Sequence, residues 1–202
     1  AGGTFPGATR FFWRVQAENA GGVSGWSEVW RFTTLDVVTG HYPIGSGWNL
    51  ISLPLIAGDP RATFLFPDAL SAPYGFVSTT GYVTRDTLRF GEGYWIKFAL
   101  PETVSVTGAI RNRDTIDVLP GWNLVGALST TIDTGSVVQN PPGLLQSAFF
   151  DYTGGYVPAD SLRPSRGYWV RAGGAGQIVL GPGGKPDVPQ VSVPLRKSSP
   201  DR

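Results

Sequence analysis

Few side chains in this sequence could perform acid–base or nucleophilic chemistry. Cysteine is absent and His41 is the single histidine, so a serine–histidine–aspartate arrangement would have to use that one residue. His41 lies between Gly40 and Tyr42, in a segment typical of the approach to a strand. We therefore expect His41 to be a surface residue without a catalytic role.

Paired carboxylates, which hydrolyse glycosides in many enzymes, are the next chemistry to consider. Asp86 and Asp160 are each followed by Thr or Ser and then Leu-Arg, and Asp59 and Asp133 recur at the same spacing. This recurrence favours a turn role, in which the carboxylate accepts hydrogen bonds from backbone N–H groups. The sequence contains no Asp-x-Asp-x-Asp spacing for calcium and no complete glycine-rich phosphate loop. It therefore predicts a protein that is not an enzyme and needs no metal or cofactor.

The aromatic residues are the remaining candidates for a site. Tyr94-Trp95-Ile96-Lys97 returns as Tyr168-Trp169-Val170-Arg171. In a strand, tyrosine and the aliphatic residue share one face, and tryptophan and the cation share the other. Trp95 with Lys97, and Trp169 with Arg171, could therefore form a platform on which a sugar stacks. The alternative is a cation–π pair that covers the core, and its presence in both segments favours this structural interpretation.

These aromatic segments belong to a longer internal repeat. Gly47-Trp48-Asn49-Leu50 returns as Gly121-Trp122-Asn123-Leu124, and the Gly-Tyr-Trp segments at 93 and 167 have the same offset of 74 residues. Further matches in this register include Pro67/Pro141, Phe76/Phe150 and Gly81-Tyr82-Val83 against Gly155-Tyr156-Val157. The sequence thus predicts two structural copies, residues 40–110 and 111–181.

Each copy is expected to be a small β-barrel or sandwich of five or six short strands with one turn of helix. The predicted strands begin at Trp48, Tyr74, Tyr82, Tyr94 and Thr103, with counterparts in the second copy. The copies should superpose, with Trp48 on Trp122 and Trp95 on Trp169. All four rings are expected to be mostly buried, so that Trp122→Ala would cost roughly 3–5 kcal/mol.

Residues 1–36 form a different unit. Phe11, Trp13, Val15 and Ala17 alternate with polar or exposed positions, Asn19 to Gly22 form a turn, and a second strand runs from residue 28 to 34. This segment resembles the C-terminal portion of a fibronectin type III domain, with Phe11 in place of the family's usual tyrosine. The resemblance implies an incomplete sandwich. For Trp13, Trp26 and Trp30 we expect core packing and a stacked ladder with Arg14 and Arg31, in preference to a binding face.

The repeated Gly-Trp-Asn-Leu and Gly-Tyr-Trp segments resemble a tandem β-module near the C-terminus of large secreted proteins of Bacteroidota and related bacteria. In those proteins the module commonly follows fibronectin-like domains and precedes a type IX secretion sorting domain. The resemblance covers residues 40–181. It implies an extracellular or cell-surface location and a longer secreted chain as the partner, and it implies no activity.

Composition narrows the function classes further. The net charge is +1 and charged residues make up 15%, with no basic run before the last few residues, so neither nucleic acid nor insertion into a membrane is expected. The high glycine and proline content, 28 and 17 residues, suits short strands and tight turns. The absence of methionine predicts a processed piece of a longer protein.

The C-terminal residues 182–202 form a Pro/Gly-rich linker or tail. Val188 to Leu195 has the alternation of an edge strand, and its prolines exclude a central position. If a neighbouring copy of the chain supplied this tail to the incomplete N-terminal sandwich, the result would be a head-to-tail polymer. A fragment of a longer secreted protein is the simpler interpretation.

We therefore expect an all-β protein: a partial fibronectin-type sandwich followed by two pseudo-symmetric β-modules. The leading functional prediction is a non-catalytic, extracellular structural or adhesion segment that acts as a spacer or assembly unit. The alternative is a carbohydrate-binding module attached to a secreted enzyme or adhesin. An exposed, coplanar aromatic row would favour this alternative, and buried tryptophans would favour the spacer.

Overall fold

A computed structural model describes residues 6–181 of the chain, and the predictions for the tail after residue 181 lie outside this range. The described part is almost entirely β-structure, as predicted. The N-terminal unit has four short strands: β1 (Arg10–Trp13), β2 (Glu18–Asn19), β3 (Gly22–Val23) and β4 (Trp30–Thr33). Strands β1 and β4 pair antiparallel, and so do β2 and β3.

The first copy contains seven strands and one helical turn, α1 (Ala62–Leu65). A four-stranded sheet has the order β6-β10-β8-β9 and a three-stranded sheet the order β5-β11-β7. The strands are as follows: β5 (Val37–Ile44), β6 (Gly47–Ser52), β7 (Ile56–Ala57), β8 (Tyr74–Val77), β9 (Gly81–Thr84), β10 (Gly93–Phe98) and β11 (Glu102–Ala109).

The second copy repeats the four-stranded sheet but differs in the third strand of its other sheet, which lies at residues 138–140 after a 3-10 turn at Thr134–Ser136, whereas β7 of the first copy precedes α1. Its sheets have the orders β13-β19-β16-β17 and β12-β20-β15, and β14 pairs with β18. The strands are as follows: β12 (Asp114–Val118), β13 (Gly121–Val125), β14 (Ile132–Asp133), β15 (Val138–Asn140), β16 (Phe149–Tyr152), β17 (Tyr156–Ala159), β18 (Ser161–Leu162), β19 (Tyr168–Ala172) and β20 (Gly176–Leu180).

Each copy is a sandwich whose core lies between its two sheets. In the first copy, Tyr94, Ile96 and Phe98 on β10 pack with Val104 and Val106 on β11. The second copy builds an equivalent and separate core. The sheets remain open, so the sandwich forms and the barrel alternative does not. Among the described residues, no helix is long and apolar enough to cross a membrane.

The Gly-Trp-Asn-Leu segment builds the same turn in both copies. Gly47 and Gly121 have φ values of +77° and +92°, a region that glycine adopts at little cost. The Asn49 side chain then fastens the turn: its Oδ1 accepts from the Gly45 N–H at 3.0 Å and its Nδ2 donates to the Gly45 carbonyl at 2.7 Å. Asn123 makes the corresponding pair of bonds to Leu119.

The tyrosine of the Gly-Tyr-Trp segment also has the same structural role in both copies. Tyr94 and Tyr168 are fully buried in their cores. Each phenol oxygen accepts a hydrogen bond from the backbone N–H of an arginine five residues earlier, Arg89 at 2.7 Å and Arg163 at 2.8 Å. The buried hydroxyl thereby satisfies a loop amide, as a buried polar group requires. Burial raises the pKa of both phenols.

One sequence-based register is wrong. Across the hairpins, Tyr82 faces Phe76 in the first copy, and Tyr156 faces Tyr152 in the second. The structural equivalents are therefore Phe76/Tyr152 and Tyr74/Phe150, at an offset of 76, and the predicted pairing of Phe76 with Phe150 does not hold. Strand β16 therefore lies two residues later in its copy than β8 does in the first. The connection from Tyr152 to Tyr156 is two residues shorter than that from Phe76 to Tyr82, and the loop before β16 is two residues longer. A slip of two keeps each side chain on its face.

The N-terminal unit differs from the prediction in its burial. Trp13 stacks on Trp30 with ring centroids 6.2 Å apart, and the Arg14 guanidinium lies 4.1 Å from the centroid of Trp26, so the Arg14 part of the expected ladder forms. The expected core packing is absent from the described residues, because these tryptophans are about half exposed. A two-stranded ladder has no second sheet to cover it.

Candidate functional site

The outer face of each four-stranded sheet is aromatic. Residues that alternate with the core positions of β6, β10 and β8 point away from the core, because successive side chains of a strand lie on opposite faces. In the first copy these residues include Trp48, Trp95 and Tyr74, which neighbour one another across the sheet. The second copy presents Trp122, Trp169 and Phe150 in the same arrangement.

The two copies pack against each other through these aromatic faces. Leu50 and Leu124, the last residues of the two Gly-Trp-Asn-Leu segments, lie buried at the centre with Trp169. Partly buried aromatic residues from both copies surround them: Phe76, Trp95, Phe150 and Tyr152. The burial of this apolar surface holds the copies together.

The contact surface between the two copies, called the seam below, also contains reciprocal backbone hydrogen bonds. The Ser52 N–H donates to the Ser165 carbonyl at 2.8 Å, and the Gly126 N–H, 74 residues after Ser52, donates to the Gly91 carbonyl at 2.9 Å. Because each contact recurs with the roles of the copies exchanged, the copies are related by a pseudo-two-fold axis, as in a symmetric dimer.

Close approach at the seam explains the glycine of the Gly-Tyr-Trp segment. A Cβ on Gly167 would lie 2.7 Å from the Ile51 carbonyl oxygen, and one on Gly93 would lie 2.8 Å from the Val125 carbonyl oxygen. Both distances are too short for any side chain. The recurring glycine is therefore required for contact between the copies.

The aromatic contacts across the seam are reciprocal as well. Trp95 contacts Tyr152 edge to face, with ring centroids 4.7 Å apart, and Trp169 contacts Phe76 in the same way at 4.8 Å. Trp95 and Tyr156 are 6.4 Å apart, and so are Trp169 and Tyr82. Such edge-to-face pairs add stability beyond the burial of their area.

This packing leaves several cavities at the seam, and the two largest of those described are clefts open to solvent. Among the described residues, both are lined by aromatic side chains alone. Cleft A, of about 500 Å³, is lined by the following: Trp48, Tyr74, Tyr82, Trp95, Tyr152 and Tyr156. Cleft B, of about 380 Å³, is lined by a second set: Phe76, Tyr82, Trp122, Phe150, Tyr156 and Trp169. The pseudo-two-fold axis exchanges the clefts, and Tyr82 and Tyr156 belong to both.

The tryptophans at the outer edges, or rims, of the clefts are more exposed than the sequence analysis predicted. Trp48 is 43% exposed and Trp122 is 44% exposed, so the expectation that both rings are buried is wrong. Trp95 is half-buried, and Trp169, at 7% exposed, is the one ring of the four that meets the expectation in full. The rim positions lie beyond the contact area of the two sheets. We therefore lower the expected cost of Trp122→Ala to about 1–2 kcal/mol.

The structure places the four residues predicted for ligand stacking in two groups. Trp95 and Trp169 line clefts A and B. Lys97 and Arg171 are exposed outside the two linings, and the Lys97 Nζ lies 5.9 Å from the ring centroid of Trp48, its cross-strand neighbour. The cation therefore pairs with the tryptophan of the other strand, at the rim of cleft A.

Sequence reasoning missed the tyrosines of the clefts. Tyr82 and Tyr156 are 54% and 56% exposed, each on the outermost strand of its four-stranded sheet, β9 and β17. Their repetition in Gly-Tyr-Val was the available signal, since an exposed aromatic residue that recurs in both copies needs a reason beyond the core. Partial burial raises the pKa of the Tyr156 phenol, and the nearby Tyr82 adds to this.

The other candidate residues lie away from the clefts. His41 is exposed on β5, where its Nδ1 is 2.9 Å from the Ser105 Oγ. Asp59 and Asp133 have the predicted turn role, accepting from the backbone N–H groups two residues later. Asp86, by contrast, accepts with its backbone carbonyl. No group of acidic or histidine side chains among residues 6–181 could hold a metal ion.

Comparison of the chain with protein-family models, with characterised proteins and with solved structures gives no match. The resemblances to a fibronectin type III domain and to the tandem module of secreted proteins therefore stay predictions from the sequence.

Proposed function

We propose that the chain is a non-catalytic module that binds a neutral polysaccharide, carried on a secreted or cell-surface protein. The observation that carries this proposal is the pair of adjacent clefts, lined by aromatic rings and open to solvent. An exposed, coplanar aromatic row was the feature expected to separate a carbohydrate-binding module from a spacer with buried tryptophans. The rings of the clefts are exposed, but neighbouring rings lie at 58° to 88° to one another, so they form clefts and not a coplanar row.

Physical chemistry supports a sugar as the occupant. A pyranose ring presents C–H groups on its faces and hydroxyls at its edge, so it can stack on an aromatic ring while its hydroxyls remain in water or bond to tyrosine hydroxyls. Large aromatic patches left open on a folded protein mark binding surfaces. Within the described residues the linings carry no charged side chain, which favours a neutral ligand over an acidic one.

Affinity electrophoresis in gels that contain soluble neutral polysaccharides tests the proposal. At least one of a panel of β-glucans, xylan and glucomannan should retard the wild-type protein. Trp48→Ala/Trp122→Ala should abolish the retardation, because both clefts lose a wall. Trp26→Ala, which removes a tryptophan of similar exposure (52%) from the N-terminal unit, should behave as the wild type. Circular dichroism would establish that each variant is folded.

Three outcomes would contradict the proposal. The wild type could pass every gel unretarded, or all three proteins could be retarded equally. Aromatic clefts also hold proline-rich peptides in some domains, so binding of such a peptide, with no glycan bound, would overturn the carbohydrate assignment.

A spacer or assembly role remains the second candidate, and the reciprocal seam favours it. Main-chain hydrogen bonds and a shared apolar cluster join the copies, so we infer that they form one rigid unit. Differential scanning calorimetry should then show one cooperative transition for the two copies. Two well-separated transitions from the repeated part would contradict a rigid unit.

A further inference from the structure

The two clefts differ in their polar groups. Cleft A has four tyrosine hydroxyls in its lining and cleft B has two, counted over the described residues. The difference arises at the two positions where the copies exchange residue types. Tyr74 in cleft A corresponds to Phe150 in cleft B, and Tyr152 in cleft A corresponds to Phe76 in cleft B.

The pseudo-two-fold axis adds a constraint of direction. A polysaccharide strand has two different ends, and a two-fold rotation reverses the direction of the strand. One strand that crosses both clefts therefore meets their equivalent walls from opposite ends and cannot make the same contacts in both. Two chemically identical clefts would suit two antiparallel strands, whereas two different clefts suit a single strand.

Resting on the carbohydrate-binding function proposed above, we propose that a single β-glucan strand crosses both clefts, with cleft A as the hydrogen-bonding subsite and cleft B as a stacking subsite. Tyr74 and Tyr152 are the specificity-determining residues of cleft A. Trp122 provides the exposed stacking ring of cleft B.

Hydrogen-bond chemistry assigns these roles. A sugar hydroxyl that leaves water needs a partner in the site, because an unpaired polar group carries its full desolvation cost. Tyr74 and Tyr152 provide such partners, and each can both donate and accept. Phe76 and Phe150 provide none, so a sugar in cleft B has only the shared Tyr82 and Tyr156 hydroxyls as partners and contacts the protein mainly through its C–H face. Glucopyranose in β-linkage has all its ring substituents equatorial and meets this requirement on both faces.

Isothermal titration calorimetry with cello- and laminari-oligosaccharides of two to six units tests the proposal on the intact chain. In whichever of the two series binds, the hexasaccharide should bind with a stoichiometry of one per protein and more tightly than the disaccharide. Tyr74→Phe/Tyr152→Phe should weaken binding of both lengths about tenfold, the effect of losing two modest hydrogen bonds. Trp122→Ala should remove the gain in affinity from disaccharide to hexasaccharide.

The matched control makes the opposite substitutions, phenylalanine to tyrosine, at the equivalent positions of cleft B. Phe76→Tyr/Phe150→Tyr gives cleft B the hydroxyls of cleft A and should strengthen disaccharide binding there, so that a second disaccharide site becomes measurable. Two hexasaccharides per protein, or equal losses for Trp48→Ala and Trp122→Ala at every length, would overturn the single-strand proposal while leaving carbohydrate binding intact. If neither series binds the wild type, the β-glucan assignment fails, and the gel panel then decides whether the proposed function fails with it.

Discussion

The two copies share the residues that build the turn, the seam and the core, and they differ in aromatic type at two positions of the clefts. Turn, seam and core residues such as Asn49/Asn123, Gly93/Gly167 and Tyr94/Tyr168 keep both their type and their 74-residue offset. Strands β8 and β16 depart from that offset and carry a tyrosine in one copy where the other has phenylalanine. The comparison indicates that the recurring residues specify the architecture, whereas the two exchanged positions change the polarity of the clefts.

The largest expected effect concerns the two tryptophans of the second copy. Trp169 is buried against Phe76 and Tyr82 of the other copy, whereas Trp122 lies at the rim. Trp169→Ala should lower the free energy of unfolding by about 3–5 kcal/mol, through lost burial and the cavity left behind. Trp122→Ala should cost about 1–2 kcal/mol. Urea denaturation measures both, and equal costs would contradict the described packing.

The seam glycines provide the next test. Gly167→Ala should destabilise the protein by about 1–3 kcal/mol, because the added methyl meets the Ile51 carbonyl and the seam must open. Gly174→Ala is the matched control, since a Cβ there meets nothing within 4 Å. Its stability should change little or rise slightly. A Gly167→Ala protein as stable as this control would show that the copies do not approach as closely as described.

The sequence predicted most of the strands of the repeat correctly, but it did not predict where the two copies contact each other. Alternation and turn residues located most of the strands of the repeat, since these features are local. Burial of Trp48 was predicted wrongly because exposure depends on where the two sheets meet. That contact is non-local, and no period within one copy encodes it.

The candidate site was only partly predictable for the same reason. Trp95 and Trp169 were identified from their repetition, but each cleft is completed by rings from the other copy. The two-residue displacement of β16 also hid the equivalence of Tyr152 with Phe76. Because a gapless alignment already matched Phe76 with Phe150, the sequence contained no sign that the strand had moved.

The buried tyrosines should show a smaller difference between the copies. Tyr94→Phe and Tyr168→Phe each leave one backbone N–H without its acceptor, at a cost of about 1–2 kcal/mol. Tyr94 also donates to the Glu92 Oε2 at 2.9 Å, so its substitution should cost more than that of Tyr168. Thermal or urea unfolding of the two variants measures the difference, and a larger cost at Tyr168 would refute this ranking.

The smallest expected effect is a pH dependence that arises at Asp59 in the first copy. Hydrogen bonds from Arg61 lower the pKa of Asp59 from 3.8 to about 2, whereas Gly135 takes the place of Arg61 beside Asp133. Since the folded-state pKa is lowered, the stabilising contribution is present above pH 3.8 and is lost as the pH falls towards 2. Carboxyl NMR should find the Asp59 midpoint near 2, and Arg61→Ala should raise it. An unchanged midpoint in that variant would exclude Arg61 as the cause.

The central claim, that the seam between the copies forms a polysaccharide-binding surface, is tested most directly by the indole N–H signals of the seven tryptophans. These signals can be assigned by single Trp→Phe variants and followed by NMR during titration with the hexasaccharide that binds. The account predicts shifts for the tryptophans that line the clefts, Trp48, Trp95, Trp122 and Trp169, and none for Trp13, Trp26 and Trp30 in the N-terminal unit. Shifts confined to the N-terminal tryptophans, or no shift at any of the seven, would contradict it.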